Sequence, residues 1–462
     1  MEYANGRHST TYRWILIAIL VMLGLVIGIC QEMMTPTLPN IRSQFNVSYE
    51  TLGTVLSLRG LGNIIFTLSA SYLYDSYPQS LNHFMISECI ISGVCTILIP
   101  WCRYFSLVTF VIYFQSGFLS ALHNACQLTV LREFKTKSIS RMQLYHTGFG
   151  IGRLLSGFIA APFVANKSGG LSKLTKYCNE KLQLERLNDE VSVNVKIYSS
   201  IELGNHENSY VFAFMISGSI SIFIGFMFLL FQSLVKLPES RNQKKISATS
   251  WLEKINPKYL SNGQTYFGIS ITILIAFYYF FYLAGQSVLM PFIIVYAIDP
   301  CKQYFISQRK ATYLHSSLNG CFILSQLLTS FLLDKYPAHI LLLFNFFNVI
   351  FIAVLCFLGN QFEIALWICL SGMRICNSVV YPTGTAYLNR YVAISSGFIT
   401  ITFIGSTIGV IVGQSVGGVL LDNFASIFII YACCGFMSAL FIVSVIVIFL
   451  VNKFGVQIQA KV

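Results

Sequence analysis

Twelve stretches long enough to cross a bilayer as helices run through this chain of 462 residues, at about 14–37, 51–74, 81–101, 104–130, 140–164, 209–235, 264–297, 313–333, 339–358, 363–388, 394–421 and 424–451. A helical crossing takes roughly 20 apolar residues. A barrel strand needs only about 9–11, so these lengths predict helices, which also satisfy every backbone hydrogen bond inside hydrocarbon. Charged residues make up 10% of the chain and the mean hydropathy is +0.67, against about a quarter charged in soluble domains. The fold class is therefore an all-α membrane protein with twelve transmembrane helices. Arg7 and Arg13 precede an uninterrupted first span, with no small-residue cleavage site after a short apolar core, so that span is expected to act as its own insertion signal.

The net charge of +12 would raise nucleic acid as a partner for a soluble protein. Here it reads as topology, because basic residues gather on the cytoplasmic side. With the N-terminus inside, that side holds 16 of the 30 Lys and Arg. The outer side holds 11, six of them in the loop 165–208, which six acids neutralise. Both termini are expected in the cytoplasm, the protein in the plasma membrane as a monomer among lipid, with no nucleic-acid partner. Of the 13 cysteines, only Cys178 and Cys301 fall in clear outer loops, and their pairing is left open. No Cys/His spacing suggests a metal. Sequons occur at Asn46 and Asn166, both on the outer side.

One polar octet is written twice. SYLYDSYP occupies 71–78 and SFLLDKYP occupies 330–337, after the second and the eighth span. Equivalent places in two runs of six spans put both turns on the same membrane face, as expected for halves related by an axis along the membrane normal. The domain reading is an N-terminal six-helix half, 1–235, including the outer loop 165–208. A cytoplasmic linker, 236–262, follows, and then a C-terminal half, 263–462, with a short tail. Asp75 and Asp334 sit at helix ends, where a carboxylate can meet backbone N–H groups or a base on a neighbouring helix. Either a helix stop or a gating latch is consistent with them, and Lys335 follows Asp334.

Five ionisable residues lie within spans: Glu32, Arg59, Glu88, Arg153 and Arg374. Unpaired in lipid they would together cost on the order of 12–17 kcal/mol. They must face one another, polar partners or water. Arg59 and Arg153 read as gating or structural pairs, with Glu32 or Glu88 as partners. His146 lies two turns from Arg153 on one helix face. Gly148, Gly150 and Gly152, and the ladder Gly405, Gly409, Gly413 and Gly417, mark close helix approach.

Twelve spans, a six-plus-six repeat and the octets resemble the major facilitator superfamily, whose turn reads G-x-L-x-D-R/K. Here Ser71 and Ser330 replace the Gly, Ser76 replaces the base, and Lys335 keeps it. MMTPTLPNI, LRGLGNIIF, QLYHTGFGIGRLLSGFIAAPFV, FFYLAGQSVLMPFIIVYAI and VVYPTGTAYL are similar, in order, to segments of the sodium-dependent glucose transporter-like branch. Two departures remove charge: Gln286 stands for a Glu, and Ser325-Gln326 for Gly-Arg.

The resemblance implies a central cavity lined by spans 1, 4, 7 and 10. Those spans supply Gln31 and Glu32, then Gln115, His123, Asn124 and Gln127, then Tyr278, Tyr282 and Gln286, and finally Arg374 and Asn377. Of these, Gln31, Glu32, His123, Asn124, Gln127, Tyr282, Gln286, Arg374 and Asn377 are the expected substrate-binding set. Arg59, Asp75, Arg153, Asp334 and Lys335 are the expected gating set. Amides and phenols with few charges suit a neutral polyhydroxy solute such as a hexose, moved by alternating access. Uniport, sodium coupling and proton coupling all fit, with no bound cofactor. Two alternatives are a non-transporting receptor on the same scaffold and an organic-anion carrier using Arg374. No Walker loop, metal spacing or nucleophile elbow points to an enzyme.

Overall fold

The computed structural model describes residues 2–134, 138–164, 209–234, 265–299, 302–333, 337–388 and 396–454. Regular structure among them is all helical. The long helices are α1 (Glu2–Glu32), α2 (Met34–Phe45), α3 (Tyr49–Ser76), α4 (Leu81–Leu98), α5 (Phe105–Phe134), α6 (Ser138–Ala160) and α7 (Val211–Leu234). They continue with α8 (Thr265–Leu289), α9 (Ile293–Ala297), α10 (Gln308–Leu333), α11 (Pro337–Leu358), α12 (Glu363–Leu388), α13 (Ser396–Asn423) and α14 (Phe428–Phe454). A turn at Met33 joins α1 and α2 into one span, and a 3-10 turn at Met290–Phe292, around Pro291, joins α8 and α9. Counted this way, the described residues hold twelve spans in the expected order. Ten are long and apolar enough to cross a membrane. The other two, α6 and α10, have 23 and 26 residues and a more polar sequence.

The chain groups into two compact units. The first holds Met1–Ile41, Leu61–Val164 and His206–Lys245; the second holds Arg42–Gly60, Ala165–Asn205 and Ile246–Val462. Thus the first turns of α3 group with the second unit. There Ser57 Oγ donates to Ile411 O at 2.9 Å, and Asp422 Oδ2 accepts from the Glu50 N–H at 2.5 Å. The expected linker 236–262 lies outside the described residues.

Within the first unit α1 runs along α6 and also touches α7, while α4 packs on α5 and α7. Within the second unit α8 runs along α13 and also touches α14, while α11 packs on α12 and α14. Numbered from the start of each half, these are the same pairs: first with fifth, first with sixth, third with fourth, third with sixth. The octet repeat is therefore matched by a repeat of helix pairing.

The glycines explain why those pairs are tight. A Cβ added to Gly152 would lie 2.0 Å from Leu25 O, and one on Gly28 2.2 Å from Phe149 O. On α13, Cβ atoms at Gly405, Gly409 and Gly413 would lie 2.5, 2.3 and 2.5 Å from the carbonyl oxygens of Ala276, Phe280 and Ala284. Without side chains at these positions the backbones meet directly, and dispersion replaces the hydrophobic drive that lipid cannot supply.

The octets themselves differ in what can be described. In the first, Ser71 Oγ donates to Thr67 O at 2.7 Å, the Tyr77 N–H closes α3 on Leu73 O at 2.8 Å, and Pro78 opens a 3-10 turn. Pro cannot continue a helix from its own N–H, so the stop is written into the sequence. Asp75 is helical in backbone. Asp334 and Lys335 lie outside the described residues, as do Cys178, Cys301 and Asn166. Asn46 ends α2 with φ 49°, a left-handed conformation that Asn tolerates better than most residues.

Beyond the end of α9 the connection to α10 buries a lysine. Lys302 is 9% exposed, its Nζ has no hydrogen-bond partner among the described residues, and it lies 3.2 Å from the centroid of Tyr296 and 5.5 Å from that of Tyr304. Asp299 nearby accepts a hydrogen bond from the Ser426 hydroxyl. Loss of hydration pushes the Lys302 ammonium down from 10.5 to about 7, with Asp299 opposing. The two cation–π contacts soften the cost without removing it.

Two predictions follow from this packing. Gly409→Ala places a methyl against the Phe280 carbonyl and lowers stability by about 1–3 kcal/mol, whereas Gly435→Ala, with nothing within 4 Å of the added atom, should not lower thermal stability in detergent. For Lys302 the unfolded chain holds a proton up to 10.5 and the folded chain only up to about 7, so stability rises with pH between those values and the full penalty stands below them. Lys302→Met removes it. The variant should melt higher than the parent at pH 6.5, by up to roughly 5 kcal/mol, and the gap should shrink at pH 9.

Candidate functional site

Each unit carries its own polar cluster. In the first, Glu32 at the end of α1 takes the guanidinium of Arg153 on α6. Arg153 Nε donates to Glu32 Oε1 at 2.6 Å, a second guanidinium nitrogen reaches the same oxygen, and the Phe149 ring lies 5.7 Å away. Of the two acids the sequence left open as partners for Arg59 and Arg153, Glu32 is the one Arg153 meets. Close α1–α6 packing through Gly28 and Gly152 brings the two side chains within reach.

On α5, His123 and Gln127 sit four residues apart and bond at 2.8 Å between Nε2 atoms, while Tyr145 Oη on α6 lies 2.7 Å from His123 Nδ1. An amide N–H donates, so His123 Nε2 accepts from Gln127, and a neutral ring then carries its proton on Nδ1 and gives it to the Tyr145 oxygen. His146 and Phe149 close around the same ring, at 5.7 and 5.4 Å between centroids. Asn124 turns elsewhere and donates to Ser71 Oγ at 2.8 Å, tying α5 to the first octet. Gln115 is fully buried and donates to Cys30 O and Thr96 Oγ1, both at 3.2 Å. These two amides join helices. Gln31 is half-buried beside Glu32.

The second unit's cluster centres on Arg374 of α12, 1% exposed. It donates to Gln286 Oε1 on α8 at 3.1 Å and to Asn319 Oδ1 on α10 at 2.8 Å, with Phe322 below the guanidinium at 4.6 Å. Asn319 in turn reaches His315 Nε2 at 3.2 Å. One turn along α12, Asn377 Oδ1 accepts from Asn348 on α11 at 2.9 Å, and its carbonyl accepts from Tyr282 Oη at 2.9 Å. Gln286 Nε2 and Asn377 Nδ2 are buried donors with no hydrogen-bond partner among the described residues. Arg374, Gln286, Tyr282 and Asn377 are thus brought into one neighbourhood of one unit. Asn319, Asn348, Phe322 and Tyr145 belong to these clusters and were absent from the sequence-based set. The signal for two of them was present: Asn319 lies four residues after His315, and Asn348 three after Asn345. Arg59 is buried on α3, in the segment that groups with the second unit.

A family model described as Major Facilitator Superfamily matches residues 20–392. The chain belongs to the major facilitator superfamily. It is 20% identical over 424 residues to the sodium-dependent glucose transporter 1A of Mus musculus, covering 90% of this chain and 91% of that one. It is likewise 20% identical over 452 residues to the major facilitator superfamily domain-containing protein 4A of the same species, covering 89% and 88%. Among solved structures, the E. coli fucose:proton symporter FucP aligns with a TM-score of 0.57 at 16% identity, over 94% and 98% of the two chains. The nucleoside transporter NupG aligns with 0.65 at 13%, over 94% and 99%. At these identities the likeness shows the fold: twelve helices in two six-helix halves, in a multi-pass membrane protein.

The Glu32–Arg153 pair generates a prediction. Arg153→Ala strands a carboxylate that is 13% exposed, and should cost on the order of 3 kcal/mol. Removing both partners should recover most of it. Thermal melts of the two single variants and the double variant read the coupling directly.

Proposed function

We propose that the protein is a secondary carrier that moves a small neutral polyhydroxy solute, of the hexose class, by alternating access. The observation that carries this reading is the second unit's cluster. Its one cation is already hydrogen-bonded to two amide oxygens, and two amide N–H donors remain buried without a partner among the described residues. An unmade hydrogen bond in a buried site costs about 1–3 kcal/mol. Sugar hydroxyls, each both donor and acceptor, answer such donors, and aromatic faces such as Phe322 suit a pyranose ring. The fucose and glucose named for two of the relatives are solutes of this class. In this reading both termini lie in the cytoplasm of a plasma-membrane protein, and the long outer loop 165–208 faces away from it.

The test is counterflow. Purified protein in liposomes loaded with unlabelled hexose should take up labelled hexose saturably, with and without sodium. Gln286→Ala and Asn377→Ala should each weaken half-saturation about tenfold, the value of one hydrogen bond, at unchanged protein yield. Normal affinity in both variants removes the site assignment. Binding without flux would favour a receptor on the same scaffold.

A further inference from the structure

The first unit contains an acid that neither polar cluster uses. Glu88, in the second turn of α4, is 7% exposed and sits among Tyr74, Met85, Cys89, Ala121, Ala125 and Cys126 in the apolar core of the unit. Its Oε1 lies 2.5 Å from Tyr74 Oη, and its Oε2 has no hydrogen-bond partner among the described residues. Arg153, which the sequence offered as one partner, belongs to Glu32. No cationic side chain pairs with Glu88 among the described residues.

Hydrogen-bond arithmetic decides its state. Tyr74 is fully buried, and its one hydroxyl has two oxygen neighbours, Glu88 Oε1 at 2.5 Å and the Ala121 carbonyl at 3.1 Å. A phenol has one proton to donate. If Glu88 is ionised, one of these contacts is acceptor against acceptor, and Oε2 holds charge in an apolar core with no donor. If Glu88 is a carboxylic acid, its proton goes to Tyr74 Oη, the phenol proton goes to Ala121 O, and both contacts become hydrogen bonds. The neutral acid also avoids the several kcal/mol that an unpaired buried carboxylate costs. The other titratable groups facing it are Tyr74 from α3 and Cys126 from α5, with Cys89 on its own helix, where the thiol donates to Ser221 O of α7 at 3.2 Å. Tyr145 of α6 and His123 of α5 lie in the next layer. None supplies a positive charge in the neutral form.

Tyr74 belongs to the first octet, where α3 ends. In the second octet, 259 residues on, the equivalents of Tyr74 and Glu88 are Leu333 and Phe347. The duplicated turn therefore carries a phenol–acid pair in one half only.

We propose that Glu88 is a proton-binding site, loaded when Tyr74 is seated against it and emptied when α3 withdraws, so that a proton moves with the carrier's solute. This rests on the carrier reading. The step is a simple ionisation: the acid gives its proton to water and keeps the charge, which then needs hydration. By linkage, whichever conformer binds the proton better is favoured by acid, and the proton in turn favours that conformer.

Two measurements test it. Infrared spectra of the full-length protein in lipid at neutral pH should show a carboxylic-acid C=O band that disappears in Glu88→Gln and shifts in Tyr74→Phe, where the acid loses its acceptor. In liposomes, with accumulation of labelled hexose normalised to each protein's own counterflow, a pH gradient of one unit should drive about tenfold accumulation for one proton per solute. In Glu88→Gln it should fall to one. A carboxylic-acid band unchanged in both variants, or gradient-driven accumulation by Glu88→Gln equal to the parent, overturns the proposal. Absence of any hexose exchange in the parent would instead sink the carrier reading, and the infrared band would still decide whether Glu88 holds a proton.

Discussion

A polar side chain inside hydrocarbon cannot turn to water, so each one must be answered by another part of the protein. Three answers appear here. Glu32 and Arg153 neutralise each other across α1 and α6. Arg374 keeps its charge and spreads it over two amide oxygens and an aromatic face. Glu88 is answered, among the described residues, by a phenol. These differ in what they leave behind. The first leaves a closed pair. The second leaves two buried amide N–H groups with no partner among the described residues, and the third leaves an oxygen with no donor among them. An answered group reads as structure, and an unanswered one as a place for a ligand.

The Glu32–Arg153 pair depends on close helix approach. Glycine backbones let α1 meet α6 and let α8 meet α13 at carbonyl contact. The α1–α6 approach carries Glu32 to Arg153. The same pairing pattern recurs in both units because the same small-residue logic recurs, although the glycines sit on α1 and α6 in one and on α13 alone in the other.

The spans were legible because a run of 20 apolar residues is a one-dimensional signal, and the repeat was legible because polar letters are rare in such a chain. The glycine ladder on α13 was legible from its spacing of four. Partners were harder. Which face of α10 meets α12 depends on rotation of each helix within its unit, and nothing local to Phe322 records it. Asn124 and Gln115 show the reverse. Their residue types and their span suited a solute site, yet each bonds to a neighbouring helix, because an amide in a membrane helix serves either purpose equally well. Glu88 was visible as a charge in a span, but Tyr74 was hidden inside a motif read as a turn.

The duplication sharpens the point about Tyr74. Where the two octets agree, at Ser, Leu, Asp, Tyr and Pro, the shared letters describe a helix that stops and a chain that turns. Where they disagree, at Tyr74 against Leu333 and Ser76 against Lys335, the differences are chemical rather than conformational. Two halves that pair their helices alike need the same turn to connect the second helix to the third. They have no such need for the same titratable groups. A residue pair that appears in one half, buried and with one of the phenol's two contacts unmade unless a proton is present, is therefore poorly explained by packing. A Leu at 74 and a Phe at 88, as the second half has in the equivalent places, would fill the core with no polar group to satisfy.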